Sequence, residues 1–355
     1  MTERRRAIVV IGTGAFSRAL CRALAGLTLP PGTEVHVVGR TPGAAVAVCE
    51  AAHAAWPEPG APAFYPVDLP LSPDIDVRWL LRAVRPHTVV VCASLQSPAE
   101  FRASDSGWAR LVRTAGFAVT LPLQAALAAP IATACADADP PVTMVNACFP
   151  DAVNPTLRAR GLPVLCGLGN VGSLAEAVYT GLGVTDPGRV KLFAHHAHLH
   201  EPADPELEAR CWLDDEPYPD VGGLLRPVRT GSRTAVNDAG ATVSAEVVRT
   251  LADGGRWIGH LPGPLGLPGG FPVQLEGTAL TLRLPPGPSL DAHLSWTHRV
   301  AVLDGADVGV DGTVRFAPQA TVALREHLPD LPATLMPQEL PEICRRLLDL
   351  RHRLR

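Results

Sequence analysis

The sequence predicts an α/β fold in two parts, a doubly wound parallel sheet in the N-terminal half followed by an α+β half. Three observations predict this. The chain has 355 residues, 47% hydrophobic and 19% charged, which is enough for two domains with sizeable cores. The first half alternates short apolar runs with helical stretches, as βαβ units do. The second half loses this alternation, so we expect domains over 1–150 and 151–355.

The apolar runs of the first half are short and rich in β-branched residues, which favours buried strands. They predict strands at Ala7–Ile11, Glu34–Val38, Ala63–Leu69, Thr88–Ala93, Val142–Ala147 and Pro163–Leu168. Between them, apolar residues recur with a helical period. This predicts helices at Phe16–Leu27, Gly43–Ala55, Val77–Val84 and from Ser106 to Cys135, the last with breaks near Pro122 and Pro130.

The second half has fewer regular patterns. It predicts helices at Ser173–Leu182, Thr242–Asp253 and Leu340–Leu354, a strand at Val190–His200, and a strand pair within Phe271–Leu284. The intervening stretches Glu201–Asp220 and Leu261–Pro272 are rich in turn-forming residues and are expected to be loops.

Composition narrows the possible partners. With 31 basic and 35 acidic residues the net charge is −4, so there is no electrostatic basis for binding nucleic acid or an anionic membrane. The eight cysteines contain no C-x-x-C pair, which indicates reduced thiols in the cytoplasm. The apolar run that follows three N-terminal arginines is too short for a signal peptide, and no later run is expected to span a bilayer.

A glycine-rich turn follows the first predicted strand and opens the first helix. In a dinucleotide-binding turn, glycines let the backbone approach a pyrophosphate, and the helix N-terminus supplies amide donors. The third glycine position here is a serine, small but not glycine. Because this turn follows the first strand of an expected Rossmann sheet, we expect six residues to bind the cofactor: Gly12, Thr13, Gly14, Ala15, Phe16 and Ser17.

The end of the second strand selects between NAD and NADP. An acidic residue there binds the ribose 2′-OH of NAD, whereas a 2′-phosphate requires a guanidinium nearby. The chain has Gly39, Arg40 and Thr41 at this point, so we expect NADP to be preferred, with NAD as the alternative. Ala93 and Ser94, at the end of the fourth strand, complete the expected cofactor contacts.

Three later segments place polar residues in apolar surroundings. The fifth strand ends at Asn146, a Gly-Leu-Gly-Asn-Val turn occupies 167–171, and four histidines fall within Phe193–His200. With the glycine turn, their order resembles that of the lactate/malate dehydrogenase superfamily, which also contains the NAD-dependent family-4 glycosidases. The resemblance covers most of the chain, is most specific over Leu162–His200, and leaves the subfamily open.

The resemblance implies roles for individual residues. Asn146 matches the asparagine that hydrogen-bonds the substrate oxygen beside the nicotinamide. The catalytic histidine, which passes a proton during hydride transfer, matches His198, with His196 as the second choice. His196, His198 and His200 would share one face of the expected strand, with His195 on the other.

Two positions depart from the dehydrogenase pattern. The superfamily has an aspartate that orients the histidine and an arginine that pairs with the substrate carboxylate, whereas this chain has Asn170 and Ser173 there. Neither can make the charged contact, so we expect a substrate other than a simple 2-hydroxy acid, with both residues still lining the site. Arg102, in the loop after the fourth strand, either closes over the substrate or is a solvated charge.

The sequence therefore predicts an NADP-dependent oxidoreductase acting on a carbonyl, alcohol or imine of a small molecule, as a homodimer or homotetramer. One alternative is a family-4-like hydrolase that uses NAD and a metal. The metal-binding cysteine position is Gly169 here, with Cys166 three residues earlier, so we assign no metal ligand, although His196, His198 and His200 could form a set. The other alternative is a non-catalytic dinucleotide sensor.

Overall fold

The computed structural model describes residues 7–41, 43–58, 60–98, 100 and 104–355. This part of the chain contains a six-stranded parallel sheet with the strand order β3-β2-β1-β4-β5-β6. Its strands are β1 (Ala7–Ile11), β2 (Glu34–Gly39), β3 (Ala63–Asp68), β4 (Thr88–Val91), β5 (Thr143–Asn146) and β6 (Cys166–Gly167). This is the order of doubly wound dinucleotide-binding sheets, so the predicted Rossmann sheet is confirmed.

The first strand shows why the sheet is buried on both faces. All five residues of β1 are apolar and buried, and β1 pairs in parallel with β2 and β4. Val9 and Ile11 pack into one core, whereas Ile8 and Val10 pack into the other. Because side chains alternate along a strand, a continuous apolar run serves two layers of helices at once.

The helices supply those two layers and cover much of the second half. They are α1 (Ala15–Ala25), α2 (Ala44–Ala55), α3 (Arg78–Val84), α4 (Gly107–Ala115), α5 (Leu121–Ala136), α6 (Pro150–Ala159), α7 (Asn170–Leu182), α8 (Val221–Thr230), α9 (Arg233–Asp253), α10 (Leu290–Ala301), α11 (Pro318–Arg325) and α12 (Leu340–Leu354). Helices α1, α2 and α9 pack on one face of the parallel sheet, and α3, α4, α5 and α12 pack on the other.

The second half adds three antiparallel sheets, which confirms the predicted α+β character. They are built from β7 (Val190–Phe193), β8 (Arg210–Leu213) and β9 (Glu216–Tyr218); β10 (Arg256–Pro262), β11 (Gly270–Glu276) and β12 (Ala279–Leu282); and β13 (Ala306–Val308), β14 (Val314–Phe316) and β15 (Thr334–Leu335). The sixth strand of the parallel sheet lies beyond residue 150, and the domain boundary there stays a prediction.

Several predicted elements differ from the structure. The strand expected over Val190–His200 ends at Phe193 and is followed by a 3-10 helix at His196–Leu199. The expected loops are wrong in part, because Glu201–Asp220 contains the β8–β9 hairpin and β10 and β11 extend into Leu261–Pro272. The helix expected at Thr242 begins at Arg233.

The long helical region breaks at a glycine and not at its prolines. Pro122 lies in the first turn of α5, where its missing N–H costs nothing, and Pro130 is accommodated inside that helix. The chain turns instead at Gly116, whose φ is 96°. Phe117–Ala136 is long and apolar enough to cross a bilayer, contrary to the expectation from sequence, but 78% of its most apolar window is buried in the fold. Its composition is that of a core helix.

Candidate active site

The glycine turn between β1 and α1 lets a ligand approach the backbone. Gly12 has a φ of 127°, and a Cβ there would lie 2.8 Å from the carbonyl carbon of Cys92, so a side chain does not fit. At Gly14 a Cβ would meet nothing within 4 Å, and α1 begins there without a side-chain cap. The first N–H groups of α1 therefore face an open approach suited to a pyrophosphate.

Ser17 performs the packing task of the absent third glycine. It is fully buried, and its hydroxyl donates to the carbonyl oxygen of Gly12 at 2.6 Å. The carbonyl oxygen of Thr13 accepts from Arg18 Nε at 3.1 Å. The Phe16 ring lies 3.6 Å from the Cβ position of Gly169, so the turn contacts the start of α7. The six residues fit a dinucleotide phosphate site.

The end of β2 is open for an adenosine group. A Cβ on Gly39 would lie 2.9 Å from Thr13 Cγ2, so this glycine lets β2 approach the turn closely. Arg40 is exposed and makes no ion pair within the described part of the chain. The register places Asp68, an exposed carboxylate, beside Gly39. Thr41 is exposed next to Arg40.

The residues after β4 lie at the same edge of the sheet. Ala93 and Ser94 follow Cys92, which contacts Gly12, and the Ser94 hydroxyl donates to the Gln96 carbonyl oxygen at 2.7 Å. Both remain partly exposed, as cofactor contacts require. Arg102 lies outside the described residues.

Two adjacent histidines share one aspartate at this edge. His196 Nδ1 lies 2.8 Å from Asp304 Oδ2, and His195 Nδ1 lies 3.4 Å from the same oxygen. An ionised carboxylate can only accept, so His196 Nδ1 donates to Asp304. The other ring nitrogen of His196, Nε2, makes no hydrogen bond with the described residues and can exchange a proton with a bound molecule.

A close approach of two backbone segments positions Asp304. A Cβ on Gly116 would lie 2.3 Å from the Asp304 carbonyl oxygen, and one on Gly305 would lie 2.1 Å from that of Ala115. Both glycines have positive φ, 96° and 101°. Only glycine fits at either place, and the contact brings a residue that follows α10 to the end of α4.

Aromatic rings enclose His196 at the carboxyl edge of the sheet. Phe117, just after α4, stacks on its imidazole with centroids 5.0 Å apart, and Phe149, between β5 and α6, meets it edge-on at 5.3 Å. The side chain of His196 is 12% exposed. The imidazole is therefore held in one orientation with limited contact to solvent.

A second carboxylate, Asp151, supports this group from the first turn of α6. It is 1% exposed, and its Oδ1 accepts the backbone N–H of His196 at 3.2 Å. Its Oδ2 is buried and has no hydrogen-bond partner among the residues that the structure describes. Asp151 therefore fixes the backbone of the histidine pair and adds negative charge beside it.

The charges of this group stabilise one another. Burial disfavours ionisation of Asp304, but His196 and His195 outweigh it and hold the pKa of Asp304 well below its usual value. Burial likewise disfavours the charged form of His195, but the contact with Asp304 and the charge of Asp151 raise the pKa of His195 above its usual value. In neutral His195, Nδ1 accepts from the Ala197 N–H at 3.1 Å. When Nδ1 is protonated, it loses this hydrogen bond and donates to Asp304 instead.

His198 is built into the protein interior. Its Nδ1 accepts from the His195 N–H at 2.8 Å, so its Nε2 donates to the Leu207 carbonyl oxygen, also at 2.8 Å. The ring is fully buried, stacks on Trp296, and burial lowers the pKa of His198 to about 4. This does not fit the predicted proton donor, because neither ring nitrogen is left for a substrate. The same-face trio with His196 and His200 is also wrong, because the segment is a 3-10 helix.

The predicted substrate residues are used by the protein itself. Asn146 is fully buried, with its Nδ2 donating to Asn154 Oδ1 at 2.9 Å and its Oδ1 accepting from the Cys148 N–H at 2.9 Å. Ser173 is buried and donates to the Val236 carbonyl oxygen at 2.8 Å. Both side chains are directed at protein atoms here, and their predicted roles in binding substrate stay predictions. Asn170, the first residue of α7, is partly exposed beside the glycine turn.

Sequence reasoning missed Asp151, His195 and Asp304. Asp151 was visible as an acidic residue after the Asn146 strand end, and His195 as part of the histidine segment. No local pattern marks Asp304, which is 108 positions from His196. The Asp-Gly pair after an amphipathic helix reads as an ordinary helix end.

Two further features of the described residues bear on this group, the arrangement of possible metal ligands and the position of two cavities. Among the described residues, no three His, Cys, Asp or Glu side chains are arranged to hold a metal ion. A cavity of about 140 Å³ lies between α7, α9 and β10, and a wider groove of about 540 Å³ lies between α7, α8 and α9. Both are lined by residues other than the His–Asp group and the glycine turn.

The chain has the fold of the lactate dehydrogenases. The enzyme from Eimeria maxima, solved with NADH and oxamate, is 13% identical with a TM-score of 0.50, covering 86% of this chain and 96% of its own. MGS-M5, a lactate dehydrogenase from a Medee basin deep-sea metagenome library, is 11% identical with a TM-score of 0.54, covering 85% and 97%. The Cryptosporidium parvum enzyme, solved with lactic acid and nicotinamide adenine dinucleotide, is 13% identical with a TM-score of 0.50, covering 86% and 98%.

No sequence profile of a protein family matches the chain, and no curated protein sequence matches it. Identities this low establish the fold alone, and a fold hosts many activities. The resemblance predicted from the order of the motifs is confirmed at the level of the fold, with the subfamily open.

Proposed function

We propose that this protein is an NADP-dependent oxidoreductase that transfers a hydride to or from a carbonyl, alcohol or imine carbon of a small molecule. The observation that carries the proposal is the hydrogen bond of 2.8 Å between His196 Nδ1 and Asp304. It lies at the carboxyl edge of the parallel sheet, where ligands of doubly wound folds bind. The glycine turn at the same edge fits a dinucleotide, and a bound nicotinamide would supply the hydride chemistry.

His196 supplies the proton chemistry. Because Asp304 holds Nδ1–H, neutral His196 presents Nε2 as a base that accepts the hydroxyl proton of an alcohol while the hydride leaves its carbon. In the reverse direction, the imidazolium donates this proton to the carbonyl oxygen. Asp304 stabilises the imidazolium and fixes the ring, as a carboxylate does for a general-base histidine.

We infer a substrate other than a simple 2-hydroxy acid. At the position of the carboxylate-binding arginine in the dehydrogenases, Ser173 is buried against the Val236 carbonyl oxygen. The buried carboxylates Asp151 and Asp304 add negative charge close to His196. An uncharged substrate avoids repulsion from these two groups.

The preference for NADP rests on Arg40. It is exposed at the end of β2 and makes no ion pair with the described residues. Its guanidinium can therefore pair with a 2′-phosphate. We also propose a cytoplasmic protein that forms homodimers or homotetramers and binds neither nucleic acid nor membranes, supported by the near-neutral charge and eight free cysteines.

Two measurements test the proposal. Fluorescence titration should show NADPH binding about tenfold or more tightly than NADH, since one charge-assisted phosphate contact supports that ratio. Turnover of carbonyl, alcohol and imine substrates, followed by nicotinamide absorbance, should then be about 10²–10⁴-fold slower in His196→Gln, with cofactor affinity unchanged.

His198→Gln is the matched comparison. It should lower thermal stability, because it removes a buried ring that bonds the His195 N–H and the Leu207 carbonyl oxygen, yet folded enzyme should retain most of its rate. Full activity in His196→Gln, together with loss of activity in folded His198→Gln, would reverse the assignment.

A further inference from the structure

Two arginines contact one carboxylate where α12 meets the loop after β4. Arg351 Nη1 donates to the Leu95 carbonyl oxygen and lies 3.7 Å from Glu100 Oε2. Arg355 Nε donates to Glu100 Oε1 at 3.0 Å. Arg40, at the end of β2, lies near enough for its charge to act on Arg351.

This cluster carries more positive than negative charge. Among the described residues, Arg351 and Arg355 share Glu100, and Arg355 binds it more closely than Arg351 does. The Arg351 side chain is only 15% exposed. Burial is the main cause that lowers the pKa of Arg351; Glu100 opposes it, and the like charges of Arg355 and, least of all, Arg40 add to the lowering. An added anion would relieve this repulsion.

Arg351 has donors left for such an anion. Every hydrogen bond and ion pair it makes with the described residues uses Nη1. Nε and Nη2 are unpaired there, and together they form one edge of the planar guanidinium, which suits two oxygens of a phosphate.

The strand order places the Arg351 guanidinium near the end of β2, where the adenosine part of a dinucleotide is expected. β1 lies between β2 and β4, so the ends of β2 and β4 are about 10 Å apart across the glycine turn. Arg40 follows β2 directly, and Arg351 is fixed to Leu95, which follows β4. Arg40 therefore lies on the β2 side of the glycine turn, and Arg351 is held on its β4 side.

We propose that the C-terminal helix completes the cofactor site, with Arg351 and Arg40 together binding the 2′-phosphate of NADP. The inference rests on the NADP preference proposed above and adds a specificity-determining residue from the far end of the chain. Arg355 has a positioning role, since it neutralises Glu100 and leaves the charge of Arg351 for the phosphate.

The ratio of the NADH to the NADPH dissociation constant tests this, measured for wild type and for Arg351→Gln, Arg40→Gln and Arg345→Gln. Arg345 lies on the same helix and pairs with Glu342, so its variant is the matched control. Arg351→Gln and Arg40→Gln should each lower the ratio about tenfold, and Arg345→Gln should leave it unchanged. Arg351→Lys, which retains a charge, should lower the ratio by less and guards against a folding defect.

The outcomes separate this inference from the proposal beneath it. A wild-type ratio near one would overturn the NADP preference itself. A high wild-type ratio that Arg40→Gln lowers and Arg351→Gln leaves intact would overturn only the role of Arg351. Equal weakening of NADPH and NADH by Arg351→Gln would also overturn it, since that is the signature of a residue that merely holds the Leu95 loop.

Discussion

At the scale of single residues, the main finding is that a carboxylate reaches the histidine segment from a distant part of the chain. The sequence shows Asn170 at the position where the dehydrogenases carry an aspartate, which suggests a histidine without a charged partner. The structure supplies that partner from Asp304, 108 positions after His196. A contact between residues so far apart follows from the whole fold, and no spacing rule applied to the histidine segment could have found it.

His195 and His196 differ in what they can do. Both ring Nδ1 atoms face Asp304 Oδ2, but His195 is fully enclosed and His196 is not. We therefore propose that His195 contributes to stability and that His196 takes part in the chemistry. The raised pKa of His195 makes this assignment testable without a substrate.

We predict that the stabilising effect of His195 weakens as the pH rises. Its pKa is raised in the folded state by Asp304 and Asp151 against the effect of burial, with a smaller contribution from Asp307. A raised folded pKa contributes stability in full below the unfolded value of about 6.5, and this contribution is lost as the pH rises through the folded pKa. Urea unfolding of wild type and His195→Asn should differ more at about pH 6 than at about pH 9.

Exposed His327 provides the comparison for this experiment. His327→Asn makes the same substitution at the surface, away from the buried carboxylates, and gives the reference against which the His195→Asn difference is compared at each pH. A pH-independent effect of His195→Asn would show that His195 contributes only packing and neutral hydrogen bonds.

At the scale of elements, the histidine segment shows why a local pattern can mislead. Alternating histidines from 196 to 200 have the period of a strand, but β7 ends at Phe193. The His195 side chain then accepts the Ala197 N–H and the His198 side chain accepts the His195 N–H, which together cap a 3-10 turn. Side-chain caps of this kind compete with the β ladder, and they are not readable from hydrophobic periodicity.

The contact between the end of α4 and the start of β13 is the element-scale feature that places Asp304. We predict that Gly116→Ala lowers the free energy of unfolding by at least about 2 kcal/mol, because φ is 96° and the new Cβ would lie 2.3 Å from the Asp304 carbonyl oxygen. Denaturant unfolding measures this. The surviving folded protein should also lose activity, since the backbone of Asp304 must move.

Gly183→Ala isolates the cost of backbone conformation. Gly183 ends α7 with a φ of 64°, but a Cβ there would meet nothing within 4 Å, so about 1 kcal/mol is expected. Equal destabilisation by the two variants would mean that the contact with Asp304 yields easily, and that it does not fix the carboxylate.

At the scale of the whole molecule, the strands of the first half can be predicted from the sequence much better than those of the second half. The central strand β1 of the parallel sheet is an uninterrupted apolar run, Ala7–Ile11, because both its faces are buried. The antiparallel sheets are built from strands as short as Thr334–Leu335, which pairs with β14 from a separate part of the chain. Such short strands carry no periodicity, and their pairing depends on tertiary contacts.

The reactivity of the cysteine thiols depends on the burial of the whole fold and, at Cys92, on the expected cofactor site. All eight are free, seven are buried, and Cys92 alone among them is partly exposed. Burial raises the pKa of the Cys21, Cys135 and Cys166 thiols to about 12. Thiolates are the reactive form, and burial also holds the pKa of the Cys92 thiol well above its usual value. The folded protein should therefore react slowly with thiol reagents, and first at Cys92, the partly exposed thiol.

We predict that eight thiols are titrated in the denatured protein without reductant, and that the folded protein reacts slowly at Cys92 and at few others.

Cys92 follows β4, and its carbonyl carbon lies 2.8 Å from the Cβ position of Gly12, so a bound dinucleotide should cover it. NADPH at about 100 times its dissociation constant should then slow the labelling of Cys92, read by mass spectrometry, and stabilise the whole fold by about 2.7 kcal/mol. Labelling at Cys135, buried on α5, serves as the control and should slow only through that stabilisation. Rapid labelling of Cys92 that NADPH leaves unchanged would place the cofactor away from the glycine turn, and a count of six or fewer thiols would contradict the reduced state.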